Sequence, residues 1–130
     1  MAGEPMLIVD DNAINLKLMR VLLESEGYDV RVAADANEAL AILTQFRPRL
    51  ILMDIQLPGM DGLTLTRMLK ANPSLRDITI LGLTAYAMKG DEERILAAGC
   101  DGYIAKPVDT RRLPAVIGSY LHPTTPGAGP

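Results

Sequence analysis

Five short apolar runs are spaced along this chain like rungs, and that spacing is its strongest constraint. Residues 6–9, 30–33, 50–53, 78–83 and 103–105 are rich in Ile, Leu, Val and Met, and longer segments with helical periodicity separate them. Strand-length runs alternating with helix-length segments specify βα units and a parallel sheet. The runs show little polar alternation, which suits strands covered on both faces. At 130 residues the chain makes one domain, large enough to fold on its own core without a metal or disulfide framework.

The helical segments carry their own punctuation. The first, 13–26, is expected to turn Ile14, Leu18, Val21 and Leu22 inward and to stop at Gly27. The second opens Asp35-Ala36-Asn37-Glu38, the pattern of a capping box, and presents Ala39, Leu40, Leu43 and Phe46 before Pro48. The third follows Asp61-Gly62, buries Leu65, Met68 and Leu69, and stops at Asn72-Pro73. The fourth, 88–98, buries Ile95 and Leu96 and ends at Gly99; Met88, at its start, is expected to face partners. The fifth, 109–121, turns Leu113, Val116 and Ile117 inward. The expected organisation is an extension at 1–5, a domain over 6–121, and a Pro/Gly-rich disordered tail or linker at 122–130.

Five βα units with right-handed crossovers give a doubly wound α/β sheet with five helices. The expected strand order is the flavodoxin-like 2-1-3-4-5, in which ligands bind beyond the carboxyl ends of the strands. Asp10-Asp11 end the first strand, Asp54 the third, Thr84 the fourth and Lys106-Pro107 the fifth. In that order three carboxylates converge, with Thr84 and Lys106 facing them.

Like charges this close repel by about 4 kcal/mol per pair at 4 Å and an effective dielectric near 20. A divalent cation resolves the conflict, and oxygen ligands without His or Cys favour Mg²⁺, with Mn²⁺ second. A metal, a lysine and a hydroxyl suit the spread oxygen charge of phosphoryl transfer, and an Asp carboxylate can be the nucleophile. Asp54, ending the central strand, is the natural acceptor. Each residue alone has a plainer reading. Asp10 and Asp11 cap the first helix, Asp54 begins a turn, Thr84 and Tyr103 pack a strand, and Lys106 is a solvated charge. Their coincidence at one sheet edge carries the argument.

The segments LIVDDN, LILMDIQLPGMDG, ILGLTA and GYIAKP closely resemble the receiver domain of two-component response regulators, the CheY-like superfamily, over residues 6–121. The resemblance is nearest to single-domain regulators of the cell-division type and to receivers of hybrid histidine kinases. It implies that Asp10 and Asp11 hold Mg²⁺ with Asp54 and the Gln56 backbone carbonyl. It implies that Asp54 takes a phosphoryl group from a phosphohistidine, that Thr84 turns toward that group, and that Lys106 pairs with it. The Lys106–Pro107 bond would be cis. Tyr103 would move inward on activation, while Ala85 keeps the position beside Thr84 small.

The partners so implied are a histidine kinase or histidine phosphotransfer protein, and a downstream protein at the face made by the fourth helix, fifth strand and fifth helix. A monomer is expected, with dimerisation on phosphorylation an open possibility. Gln56 and Tyr86 are expected to tune the phosphoryl lifetime, giving slow self-dephosphorylation. The regulator is read as stand-alone, with a receiver excised from a hybrid kinase as the alternative. It is expected to assist only its own phosphorylation and dephosphorylation, not to turn over a substrate.

Competing classes fail on particular features. A haloacid-dehalogenase-type phosphatase wants a second acid two residues past its nucleophile, where this chain has Gln56. A flavin carrier needs a phosphate-cradling loop after the first strand, and Asp10-Asp11-Asn12 would repel phosphate. Thirteen Lys+Arg against sixteen Asp+Glu leave a net charge of −3, which argues against nucleic-acid binding. With only Phe46 and four Tyr there is no stacking platform either. No signal peptide or membrane span is evident, so a cytoplasmic setting is expected. The single Cys100 reads as a buried small hydrophobe, and His122 as neither ligand nor phosphate carrier.

Overall fold

The structure is a computed structural model that describes residues 3–85 and 89–121. The chain runs β1 (Pro5–Val9), α1 (Ala13–Ser25), β2 (Asp29–Ala33), α2 (Ala36–Leu43), β3 (Leu50–Asp54), α3 (Gly62–Ala71), β4 (Thr79–Thr84), α4 (Lys89–Ala97), β5 (Gly102–Ala105) and α5 (Leu113–Leu121). All strand pairs are parallel and the order is β2-β1-β3-β4-β5, as the sequence implies.

Two apolar layers cover the sheet. On one face Met19 and Leu23 of α1 join Leu113, Ile117 and Leu121 of α5 over Met6, Ile8, Leu50, Leu52 and Leu81. On the other, Ala36, Ala39, Leu63, Leu65, Leu69 and Ile95 from α2, α3 and α4 cover Leu7, Val9, Ile51, Met53 and Ile80. Both faces of β3 are therefore buried along its whole length, which explains its unbroken apolar run.

The helix starts follow local chemistry. Asn12 caps α1, accepting from the Ile14 and Asn15 N–H groups at 2.9 and 3.0 Å. Asp35 accepts from Glu38 N–H at 2.8 Å while Glu38 reaches back to Ala34 N–H at 2.8 Å, so the expected capping box forms with a one-residue offset. Asp61 caps α3 through Thr64 N–H at 2.8 Å.

Several inward faces differ from expectation. Ile14, Leu18 and Val21 are 78%, 51% and 57% exposed, and Met19 and Leu23 are the residues that α1 buries. The helix carries two apolar stripes on opposite sides, and periodicity alone does not say which one meets the sheet. Leu22 lies between them and is half-buried. Met68 and Leu96 also face solvent, whereas the intervening turns bury Leu65, Leu69 and Ile95. Phe46 lies beyond the end of α2, with the Arg31 guanidinium 4.7 Å from its ring centroid. The fifth helix begins at Leu113 because a tight turn, closed by Arg112 N–H to the Asp109 carbonyl, occupies the preceding residues. Val116 is half-buried there. Cys100 is buried. Tyr86, Met88, His122 and the rest of the tail at 122–130 lie outside the described residues.

Candidate functional site

The register sets the site. Val9 pairs with Met53, Asp54 with Leu83, and Thr84 with Ala105, so Asp10, Asp54, Thr84 and Lys106 leave the sheet at one edge. Asp10, Asp54 and Thr84 are buried, Asp11 and Gln56 exposed. Lys106 N–H donates to the Thr84 carbonyl at 2.7 Å, which fixes where the lysine starts. The Lys106–Pro107 peptide is cis, as the resemblance implied.

Asp54 is held from two sides. Its Oδ1 accepts the Gln56 N–H at 2.9 Å, and its Oδ2 accepts from Lys106 Nζ at 2.9 Å. A second carboxylate shares the lysine, with Asp10 Oδ2 3.6 Å from Nζ. Burial works to lower the Lys106 pKa, but the two carboxylates outweigh it and hold the ammonium above its ordinary value. Burial pushes the Asp10 carboxyl up, against the Asn12 N–H and Lys106, with the Asp54 charge adding to the rise.

Ligand oxygens of Asp10, Asp11 and Asp54 lie within 4.8 Å of one another. Asp10 Oδ1 accepts the Asn12 N–H at 2.9 Å, but its Oδ2 is buried without a hydrogen bond. A buried carboxylate oxygen left without a donor is costly, and it fits a site whose last partner is a cation. Three hard oxygen donors match a divalent ion of the Mg²⁺ kind. The plainer reading of Asp10-Asp11 as helix caps fails here, because Asn12 does the capping.

A glycine completes the geometry. A Cβ on Gly62 would collide with the Asp54 carbonyl, so α3 approaches the acceptor's own backbone only with glycine at its first position. Gly62 N–H also donates to the Ile55 carbonyl at 3.1 Å. Tyr103 is not brought to the acids. It sits in β5 opposite Gly82, half-buried against the apolar layer that contains Ile95.

Two grooves open beside the site. One, of about 380 Å³, runs between α1 and the loop after β5, lined by Leu18, Met19, Lys106, Pro107 and Val108. The other, of about 300 Å³, lies between Gln56, Asp61, Thr84 and α4 residues Asp91 and Arg94. Sequence reasoning did not find the roles of Asn12 or Gly62. The Asn12 signal was legible, since Asn before an apolar-periodic run is a strong cap; the Gly62 contact depends on tertiary approach.

Residues 6–118 match the response regulator receiver domain family. The chain is 49% identical over 115 residues to the polar-differentiation response regulator DivK of Brucella anthropi, covering 88% of this chain and 94% of that protein. Among solved structures it resembles a putative response regulator from Chloroflexus aurantiacus, at TM-score 0.86 and 32% identity over 92% of this chain and 98% of that one. It also resembles the receiver domain of the sensor histidine kinase PA1611 from Pseudomonas aeruginosa, at TM-score 0.83 and 37% identity, again covering 92% and 98%. That structure has a magnesium ion coordinated in its active site cleft.

Proposed function

The chain belongs to the response regulator receiver domain family, and from that premise we propose that Asp54 accepts a phosphoryl group from a phosphohistidine and that the modified domain alters a protein-binding face. The observation that carries this reading is the buried Asp54, bonded to Lys106 at 2.9 Å with two further acids beside it. A carboxylate oxygen of Asp54 forms the bond to phosphorus as the P–N bond breaks, and the imidazole leaves. The product is an acyl phosphate. The dehalogenase-type reading has no support in the family matched or in Gln56.

Asp10, Asp11, Asp54 and the Gln56 backbone carbonyl would hold Mg²⁺. When bound, the ion offsets the carboxylate charge and stabilises the phosphoryl oxygens. The protein's own groups do the rest. Lys106, already aimed at Asp54, neutralises added charge without having to reorganise. Thr84, one strand over, supplies a hydroxyl on the opposite side from Asp10. Gln56, exposed two residues past the acceptor, governs how water reaches the phosphoryl group and hence its lifetime. The reaction is confined to the protein's own modification, so the domain regulates and does not turn over a substrate.

The phosphodonor docks on the exposed stripe Ile14, Leu18 and Val21, which leads into the groove floored by Lys106. Apolar surface beside a charged site orients a partner that must deliver its phosphohistidine there. The downstream target takes the α4–β5–α5 face, where Tyr103, Ile104, Val108, Arg112 and Val116 line a groove of about 350 Å³. Among the described residues no helix is long and apolar enough to cross a membrane.

Intact mass after incubation with acetyl phosphate tests the reading, with and without Mg²⁺, on wild type and Asp54→Ala. A Mg²⁺-dependent, hydroxylamine-labile phosphoryl adduct absent from the variant supports it. An adduct that persists in Asp54→Ala would place the chemistry elsewhere. Leu18→Glu separates docking from chemistry: transfer from a histidine phosphotransfer protein falls, while acetyl phosphate still modifies Asp54.

A further inference from the structure

The two grooves beside Asp54 differ in charge. The one along α1 contains Lys106, whose ammonium holds Asp54 Oδ2 at 2.9 Å. The other, of about 300 Å³, is lined by Gln56 and Thr84 and walled by α4. The Gln56 N–H is bonded to Asp54 Oδ1, the oxygen that Lys106 does not hold, so this second groove borders the acceptor's other side. Among the described residues that line it, Asp61 and Asp91 are acidic and Arg94 is the one cation.

Asp91 and Arg94 stand three residues apart on α4, with Nη1 3.5 Å from Oδ1. The arginine side chain is 63% exposed and the aspartate 23%. A solvated pair of this kind adds little to stability, but both members line the groove. A small phosphoryl donor such as an acyl phosphate is a dianion, and it must approach an acceptor that stands among Asp10 and Asp11. Within a groove of this size, charges act inside the Debye length of about 8 Å at physiological salt, so the sign of its wall biases which anions enter. Nothing in the fold has to move for that field to act.

We propose that the Asp91–Arg94 pair sets the preference of the site among small phosphoryl donors, Arg94 drawing dianionic acyl phosphates into the groove and Asp91 limiting that draw. The proposal deepens the phosphoacceptor reading of Asp54 and rests on it. With acetyl phosphate, the bond from an Asp54 carboxylate oxygen to phosphorus forms as the bond to the acetate oxygen breaks, and acetate leaves with the electron pair. Arg94 takes no part in that exchange; it determines specificity through its field. The charge of the pair is zero in wild type, −1 in Arg94→Gln, +1 in Asp91→Asn and zero again in the double variant.

The test compares two donors of different charge on the full chain at neutral pH and saturating Mg²⁺. Acetyl phosphate is dianionic, and phosphoramidate is a zwitterion with one net negative charge that releases ammonia as its P–N bond breaks. Adduct formation against time is read by intact mass. Arg94→Gln is expected to slow uptake from acetyl phosphate about two- to fivefold and Asp91→Asn to speed it by a similar factor. The double variant returns to the wild-type rate, and Arg94→Lys restores what Arg94→Gln loses. For phosphoramidate the logarithm of each change is about half as large, because the donor carries half the charge. The spread among variants closes in about 1 M salt, where the Debye length is about 3 Å. A substitution that merely frays α4 changes both donors by the same factor and is insensitive to salt. That pattern, or a double variant as slow as Arg94→Gln, would overturn the proposal while leaving Asp54 as acceptor. Absence of any adduct on wild type from either donor would take down the phosphoacceptor reading and this one with it.

Discussion

Two lysine–aspartate pairs stand at opposite ends of the same sheet. At the amino end of β4, Lys70 donates to the Arg76 carbonyl at 3.1 Å, the Ile78 carbonyl at 2.8 Å and Asp101 Oδ2 at 3.1 Å. That oxygen also accepts the Ile80 N–H at 2.8 Å. At the carboxyl end, the Lys106 ammonium donates to Asp54 Oδ2 at 2.9 Å and stands 3.6 Å from an Asp10 oxygen that has no hydrogen bond. The two lysines are almost equally exposed, at 21% and 22%. What separates them is matching. Lys70 has an acceptor for each of its three protons and behaves as glue. Lys106 faces more negative charge than it satisfies, and that imbalance is what a cation or phosphoryl group can relieve.

Exchanging each lysine for methionine probes the contrast most strongly. Lys106→Met is expected to slow phosphoryl uptake from acetyl phosphate about a hundredfold or more, read as adduct formation against time. Lys70→Met should leave uptake intact and lower stability by about 1–3 kcal/mol, read by urea denaturation. A Lys70→Met protein with impaired uptake would break the division between the two ends.

Asp10→Asn sharpens it. The variant removes a buried charge, one of whose oxygens lacks a hydrogen-bond donor, so in EDTA it should be more stable than wild type by about 1–3 kcal/mol, and Mg²⁺ should no longer raise its Tm. The pH dependence has a definite sign. Burial holds the Asp10 carboxyl above its ordinary 3.8, so the metal-free folded state binds the proton more tightly than the unfolded state. Stability of the metal-free protein therefore falls as pH rises from 3.8 through that raised value, and Asp10→Asn flattens this loss.

The smallest effect belongs to the α3 cap. Asp61→Ala should cost about 1 kcal/mol. The Thr64 N–H holds the Asp61 carboxyl below its ordinary value, so the cap's contribution is complete above that ordinary value and disappears as pH falls through the lowered one. Equal unfolding midpoints for Asp61→Ala and wild type at neutral pH would remove this assignment.

The strand order and the set at the sheet edge were legible because polar residues end apolar runs, and the runs themselves fix the sheet. Asp54 and Lys106 are 52 residues apart in the chain yet announced themselves by where their strands stop. Less legible was anything decided by the choice between two equivalent faces. The first helix has apolar residues on both sides, and only the position of β2 and α5 selects Met19 and Leu23 over Ile14 and Val21. Lys70 was silent for a different reason. Its acceptors are backbone carbonyls, which every sequence contains, so its saturation exists only once the chain has turned back on itself. Gly82 was silent for a related reason: what matters there is a missing atom, since a Cβ at that position would lie 3.1 Å from Ile95 Cγ2.

The contact of Gly62 with the Asp54 carbonyl has a genetic corollary. A screen for loss-of-function alleles would return this glycine beside the acidic residues, although it carries no functional group. The tolerated alphabet there has one letter, set by clearance where chemistry sets it at Asp54. Null alleles at the two positions should differ in kind: one erases the acceptor, and the other displaces it by lifting α3 away.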